Sequence, residues 1–230
     1  MNVLAGKKLR HGENLRSKLL EVFSILYKIY GPQSWWPADS NFEVVVGAIL
    51  TQNTNWSNVE KAIVNLKREN LLRPLALRNI STKKLAALIR PSGYYNVKTK
   101  RLKNFLDFLF TRYGGKLAKM KPNALLTLRR EILDINGIGR ETADSILLYA
   151  LEKPIFVIDA YTRRIALCLG LICKESRYDD MQAIFMQNLP HNARLFNEYH
   201  ALIVAHSKSA CRIKPDCLRC VLHNEKRGIR

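Results

Sequence analysis

Apolar residues recur at three- and four-residue intervals along most of the chain, the repeat of helices that bury one face. The spacing is clear in LRSKLLEVFSILYKIY (15–30), FEVVVGAILTQ (42–52), NVEKAIVNLKREN (58–70), KKLAALIR (83–90) and KTKRLKNFLDFLFTRY (98–113). It continues through NALLTLRREILD (123–134), RETADSILLYALE (140–152), AYTRRIALCLGL (160–171), YDDMQAIFMQNL (178–189) and LFNEYHALIVAHSKSAC (195–211). No stretch alternates with period two, so the pattern predicts an all-α fold of about ten helices. Breakers fall where these helices should end: Gly31-Pro32, Pro37, Pro91-Ser92-Gly93, Gly114-Gly115, Pro122, Pro154, Gly170 and Pro190. There is neither a long internal repeat nor a low-complexity segment, which disfavours a solenoid.

One junction is unusually tight. LRREILD (128–134) and RETADSILLYAL (140–151) leave only Ile135–Gly139 between them. Gly137 and Gly139 permit positive φ there and let another backbone approach closely. The second helix starts near Gly139 or Arg140, so its unpaired N–H groups and positive dipole end point out of the turn as a ready anion site. A dinucleotide motif is excluded, because G-x-G-x-x-G would need glycine at Thr142 and no strand precedes it. Asp159, in VIDAYTRR, stands where it could cap the AYTRRIALCLGL helix.

Charge sharpens this picture. Thirty-eight Lys and Arg against nineteen acidic residues give a formal net charge of +19, far beyond what solubility requires. The basic residues are spread along the chain and not gathered on an amphipathic tail, which favours nucleic acid over a membrane surface and makes phosphate the natural anion. A basic surface without a partner is the plainer alternative. The N-terminus lacks the apolar core of a signal peptide, and no apolar run reaches the roughly 20 residues of a membrane span. Five cysteines, three of them within ten residues, argue against a secreted disulfide framework. A reducing, cytoplasmic setting is expected.

The hairpin N-G-I-G-R-E-T-A-D-S-I (136–146) resembles the phosphate-gripping element of the endonuclease III, or helix-hairpin-helix-GPD, superfamily of DNA glycosylases. In that family an aspartate follows the hairpin helix. Asp159 lies eighteen residues beyond Glu141, similar to the family's spacing. The resemblance runs from the N-terminal helix to the C-terminal cysteines. It implies a monomer of two lobes: a six-helix barrel over 36–153 carrying the helix-hairpin-helix at about 124–151, and a lobe of residues 1–35 with 154–230, ending in a cysteine loop at 211–223. It also implies double-stranded DNA with damaged bases as the partner, Asn136, Gly137, Gly139 and Arg140 at the phosphate, and Asp159 at the mouth of a base pocket.

Breaking an N-glycosidic bond builds positive charge on the sugar. A carboxylate beside C1′ can stabilise that charge and orient or deprotonate a water, and it suffices alone when the leaving base is already cationic. The family's bifunctional members carry a lysine just after the hairpin, whose amine forms a Schiff base and leads to strand cleavage. Here that position is Glu141, which implies a monofunctional enzyme, although a glutamate also suits a first helical turn. Two other readings stand beside this one: a pyrimidine-damage glycosylase with lyase activity, and a non-catalytic DNA-binding module.

All three tryptophans, Trp35, Trp36 and Trp56, fall in SWWPADSNFEVVVGAILTQNTNW. W-W-P followed by L-T-Q-N-T, together with RPSGYYNVKTKRL (90–102) and the glutamate after the hairpin, resembles the 3-methyladenine glycosylase branch called MagIII. That branch sandwiches an alkylated base between aromatics, here Trp36 and Trp56, and tryptophan stacks well on a cationic purine. The tryptophans could instead close the core between lobes. The resemblance also implies that an amide of the TQNTN loop, Gln52 or Asn53, fills the hole left by the flipped base. Lys98, Lys100 and Arg101 would contact phosphate or form a solvated basic face. Cys211, Cys217 and Cys220 resemble the family's [4Fe–4S] motif, but the first gap is one residue short and the fourth position is Lys226. His223 could complete a Cys₃His set, which also suits zinc, and a metal-free loop is the third possibility. Cys168 and Cys173, in IALCLGLIC, read as core cysteines.

Overall fold

The structure, a computed structural model, describes residues 15–33, 35–36, 38–211 and 220–222. Among them the chain is helical without strands: α1 (Leu15–Tyr30), α2 (Asn41–Leu50), α3 (Trp56–Arg68), α4 (Pro74–Asn79), α5 (Thr82–Leu88), α6 (Tyr95–Tyr113), α7 (Leu125–Leu133), α8 (Arg140–Ser145), α9 (Ala160–Cys168), α10 (Tyr178–Asn188) and α11 (Ala193–Ser209). None of them is long and apolar enough to cross a membrane.

Ten of these helices follow the apolar periodicity to within a few residues. The eleventh, α4, is a six-residue helix with proline in its first turn, too short to display a repeat. The predicted helix from Arg140 also changes character partway. After Ser145 it widens into a π-helical turn, Ile146–Ala150, closed by Leu151 N–H donating to Ile146 O. Cys168 and Cys173 correct the expectation of core cysteines, since both are exposed. Ile165 and Ala166 are buried instead and carry the apolar face of α9.

Helix α2 is the centre. Every residue from Phe42 to Leu50 is buried, and α2 packs against α3, α6, α8 and the π turn. Its single charge, Glu43, is neutralised by Lys67 at 2.8 Å and accepts the Asp39 N–H at 3.0 Å, so burial leaves it satisfied. Helix α1 packs on α10 and α11, and α9 packs on α11, which also touches the π turn.

Between the π turn and α9 the chain runs extended, with Ile155–Ile158 buried. With no strand to pair it, side chains of α10 serve its backbone: Gln182 Nε2 donates to Phe156 O at 2.6 Å, and Ile158 N–H donates to the Tyr178 hydroxyl at 3.3 Å. Those same side chains bind Asp144 of α8, which is fully buried. Asp144 accepts from Tyr178 at 2.9 Å, from Gln182 at 2.7 Å, and from Arg129 of α7 through two bonds of 2.8 and 3.1 Å.

Removing this carboxylate leaves a largely buried guanidinium with the more exposed Asp179 as its remaining ion-pair partner and takes an acceptor from Tyr178 and Gln182. Asp144→Ala is therefore expected to lose about 3 to 5 kcal/mol of unfolding free energy, measured from urea midpoints. A loss below about 1 kcal/mol would show that the network is not a keystone.

Candidate active site

The hairpin turn is latched from two sides. Gly137 has φ of +92°, and a Cβ added there would lie 2.5 Å from Arg101 Cγ, so glycine is required both by conformation and by space. Gly139 differs from expectation: its backbone is extended at φ −91° and nothing crowds it, so it serves as the open N-cap of α8. Gln52, after α2, donates to Thr142 Oγ1 at 2.8 Å and to Gly137 O at 3.4 Å, and its own oxygen accepts from Arg101 Nη1. Asn104 donates to Asn136 O at 2.9 Å.

Asn136, Gly137, Gly139 and Arg140 are all exposed, and no side chain caps the start of α8. Arg140 pairs with Asp179 at 3.0 Å. Lys100 is exposed, and Arg101 is partly buried against the turn. Lys98 corrects the expectation of a phosphate contact. It is 0% exposed, and its ammonium donates to Leu50 O at 2.8 Å and Ser92 O at 2.5 Å. Burial, aided by the nearby Arg101 charge, pulls its pKa down to about 8. It staples the end of α2 to the turn before α6.

Between this latch and α11 lies a cavity of about 460 Å³. Trp35, Trp36, Trp56, Gln52, Glu141 and Asp159, drawn from separate parts of the chain, all line it. Asn53 does not; it is exposed, with φ of +54°. Trp36 and Trp56 do not form parallel plates. Their rings meet edge to face, 5.0 Å apart at 89°, whereas a ring between two parallel faces needs them about 7 Å apart, twice a van der Waals contact. Trp56 is turned this way by its N–H donating to Glu60 at 2.7 Å. Gly47 makes the room for both: a Cβ there would stand 3.2 Å from Trp36 and 3.5 Å from Trp56. The Trp35 N–H is buried without a partner among the described residues.

Asp159 caps α9, accepting the Thr162 N–H at 2.7 Å through Oδ1, while Oδ2 lies 3.4 Å from His200 Nε2. Burial pushes its carboxyl pKa up, but the adjacent His200 and the bond from the Thr162 N–H outweigh that and hold it below the usual value. Glu141 behaves oppositely: desolvation and then the charge of Asp159 raise its pKa. The two carboxylates on one wall are thus pushed apart in acidity, a pattern that concentrates at reactive sites.

Sequence reasoning missed His200, Tyr149 and Lys208, which also line the cavity. The signal available for His200 was a polar residue on the apolar face of α11, which is no stronger than that for an ordinary core histidine. Tyr149 hides in an apolar run, and only the π turn aims it at His200.

At the C-terminal end, Cys211 is buried and Cys220 Sγ lies 3.5 Å from Nε2 of His206, whose Nδ1 contacts the Tyr30 hydroxyl at 2.9 Å. His206 is an imidazole the sequence reading did not consider. Cys217 and His223 lie outside the described residues. Among the described residues no three His, Cys, Asp or Glu gather to hold a metal. The two thiols and one imidazole at this end, among the described residues, are fewer than the four ligands of a cluster or structural zinc.

This arrangement has relatives. The family described as HhH-GPD superfamily base excision DNA repair protein matches residues 46–191. A protein of Methanocaldococcus jannaschii, named "putative DNA repair glycosylase", is 51% identical over 210 residues, covering 90% of this chain and 95% of its own. The endonuclease III of Thermotoga maritima is 29% identical over 184 residues, 80% of this chain and 81% of that one. Among solved structures, the H. pylori 3-methyladenine DNA glycosylase (MagIII) bound to 1,N6-ethenoadenine aligns with a TM-score of 0.72 at 31% identity, over 85% of this chain and 97% of that one. A trapped endonuclease III–DNA covalent intermediate shares the fold, with a TM-score of 0.77 at 19% identity over 93% and 98% of the two chains. With the family match spanning residues 46–191 and both the hairpin and its following aspartate inside it, this chain belongs to the HhH-GPD superfamily as a base excision repair DNA glycosylase.

Proposed function

We propose that the chain is a monofunctional glycosylase that hydrolyses the N-glycosidic bond of cationic alkylpurines such as 3-methyladenine. The observation that carries this is one cavity walled by three tryptophans, with an ionised Asp159 at one side and a carboxylate, Glu141, at the family's lysine position. A positively charged base is attracted by indole faces and by two acidic groups, and it needs little protonation to leave. The unpartnered Trp35 N–H supplies a donor for an acceptor atom on the base edge. The uncapped start of α8 with Asn136, Gly137, Gly139 and Arg140 grips a phosphate, and DNA lies between the lobe of 36–153 and that of the two termini. Gln52 is engaged in the latch, which leaves Asn53, exposed on a left-handed turn, as the side chain that enters the stack. In the reaction Asp159 stabilises the developing sugar cation and receives a proton from the attacking water.

A second reading, a glycosylase with lyase activity, draws on Lys208, which lines the cavity with its ammonium 5.4 Å from the Trp35 ring centre. The 3-methyladenine DNA glycosylase relative (MagIII), bound to 1,N6-ethenoadenine, supports the first reading.

Asp159→Asn is expected to slow release of methylated bases by about 10²- to 10⁴-fold while duplex affinity persists; unaltered release would sink the catalytic assignment. Borohydride treatment with abasic DNA should yield no covalent adduct, and an adduct abolished by Lys208→Ala would establish the lyase reading instead. For Glu141, whose folded pKa is raised, the stabilising share is complete below the unfolded value of about 4.3 and disappears as pH rises through the folded one. Glu141→Gln should accordingly melt higher than wild type at neutral pH, with the gap closing in acid.

A further inference from the structure

His200 stands on α11 behind Asp159, 6% exposed, yet on the cavity wall. Its Nδ1 is taken by the Tyr149 hydroxyl at 2.5 Å, so the ring cannot rotate freely. Its Nε2 is buried with no hydrogen-bond partner among the described residues, and it sits 3.4 Å from Asp159 Oδ2, off the direction a hydrogen bond between them requires. An orphaned buried imidazole nitrogen is destabilising, and folded chains retain such groups where a ligand or water satisfies them. Here Nε2 and Oδ2 stand 3.4 Å apart at the wall of the cavity, and a water oxygen about 2.8 Å from each would satisfy both.

We propose that His200, clamped by Tyr149, is a second water-orienting group of the hydrolysis, acting with Asp159 on the attacking water. The inference rests on the glycosylase reading above. With the Tyr149 O–H donating to Nδ1, Nε2 carries the hydrogen and donates it to the water oxygen. That bond turns one water proton toward Asp159. As the C1′–N bond breaks, its electron pair leaves with the cationic base, which becomes neutral. The water oxygen bonds to C1′, and its proton passes to the Asp159 carboxylate. His200 neither gains nor loses a proton in this sequence; it fixes where the nucleophile stands.

The same contact shapes the pH response. Groups facing Asp159 are His200 from α11, Glu141 from α8 and Tyr149 from the π turn; Glu60 of α3, Tyr161 of α9 and Lys208 of α11 complete the ionisable lining. Of these, His200 lowers the pKa of Asp159 most directly. Without it, the acid limb of base release moves to higher pH.

The test is single-turnover base release from methylated duplex DNA by the full chain. His200→Asn keeps an amide near Nδ1 for Tyr149 and deletes Nε2, whereas His200→Gln restores a donor near Nε2. His200→Asn is expected to release base about 100-fold more slowly, the effect of a nucleophile misplaced by about 1 Å, with its acid limb shifted upward and duplex affinity kept. His200→Gln should recover much of the rate. An unchanged rate and unchanged acid limb in His200→Asn would overturn the proposal. Should that variant fail to fold, Tyr149→Phe carries the test: slower release with the same upward limb supports the role, and wild-type behaviour refutes it. Asp159→Asn separates the two levels. If it releases base normally the glycosylase reading fails, whereas its loss beside a normal His200→Asn removes only the role given to His200.

Discussion

A single buried carboxylate, Asp144, ties the hairpin of α7 and α8 to the aspartate of the cavity. Its hydrogen bonds reach Arg129 in α7 and Tyr178 and Gln182 in α10. Both α10 side chains then hold the extended run that leads to Asp159, one at Phe156 O and the other at the N–H of Ile158. An extended segment buried without a sheet has no partners of its own, so its path is set by whatever satisfies its backbone. Here that is Asp144 acting through two side chains. The span between turn and aspartate is therefore fixed by polar bonds as well as by the helix between them.

The cavity shows the opposite economy. Two carboxylates on one wall repel, and the partly desolvated Glu141 bears the consequence in its raised pKa. Asp159 escapes because its own helix and His200 compensate it. Being a helix cap and being reactive are compatible roles: the bond to the Thr162 N–H spends Oδ1 and leaves Oδ2 aimed at the cavity. Stability is forgone at one acid while the other is kept ionised and in register.

Much of this is legible from the residues alone, and the exceptions share a cause. Helix α1 spans Leu15–Tyr30 as its periodicity predicts, because one apolar stripe is enough to define a helix against a core. The convergence of Trp35, Trp36, Trp56, Glu141 and Asp159 is what the resemblance to the glycosylase family implies, and all five line one cavity. What escaped depends on partners far away in sequence. Lys98 reads as a surface cation, but two carbonyls, at Leu50 and Ser92, draw it inside. His200 and Tyr149 are 51 residues apart and acquire meaning only through their contact. The edge-to-face tryptophans pair Trp36, before α2, with Trp56 at the start of α3. The π turn adds a residue per turn that no apolar count detects.

The internal lysines change how the charge of this chain should be counted. Lys18 donates to Leu169 O, Lys103 to the carbonyls of Leu77, Arg78 and Ile80 around the end of α4, and Lys153 to those of Lys121 and Asn123, as Lys98 does elsewhere. Such ammonium groups close helix ends and loops in place of backbone pairing. Each cation committed to a carbonyl releases no counterion from a DNA backbone. The salt sensitivity of the protein on DNA should follow the smaller set of outward-facing cations, not the formal +19.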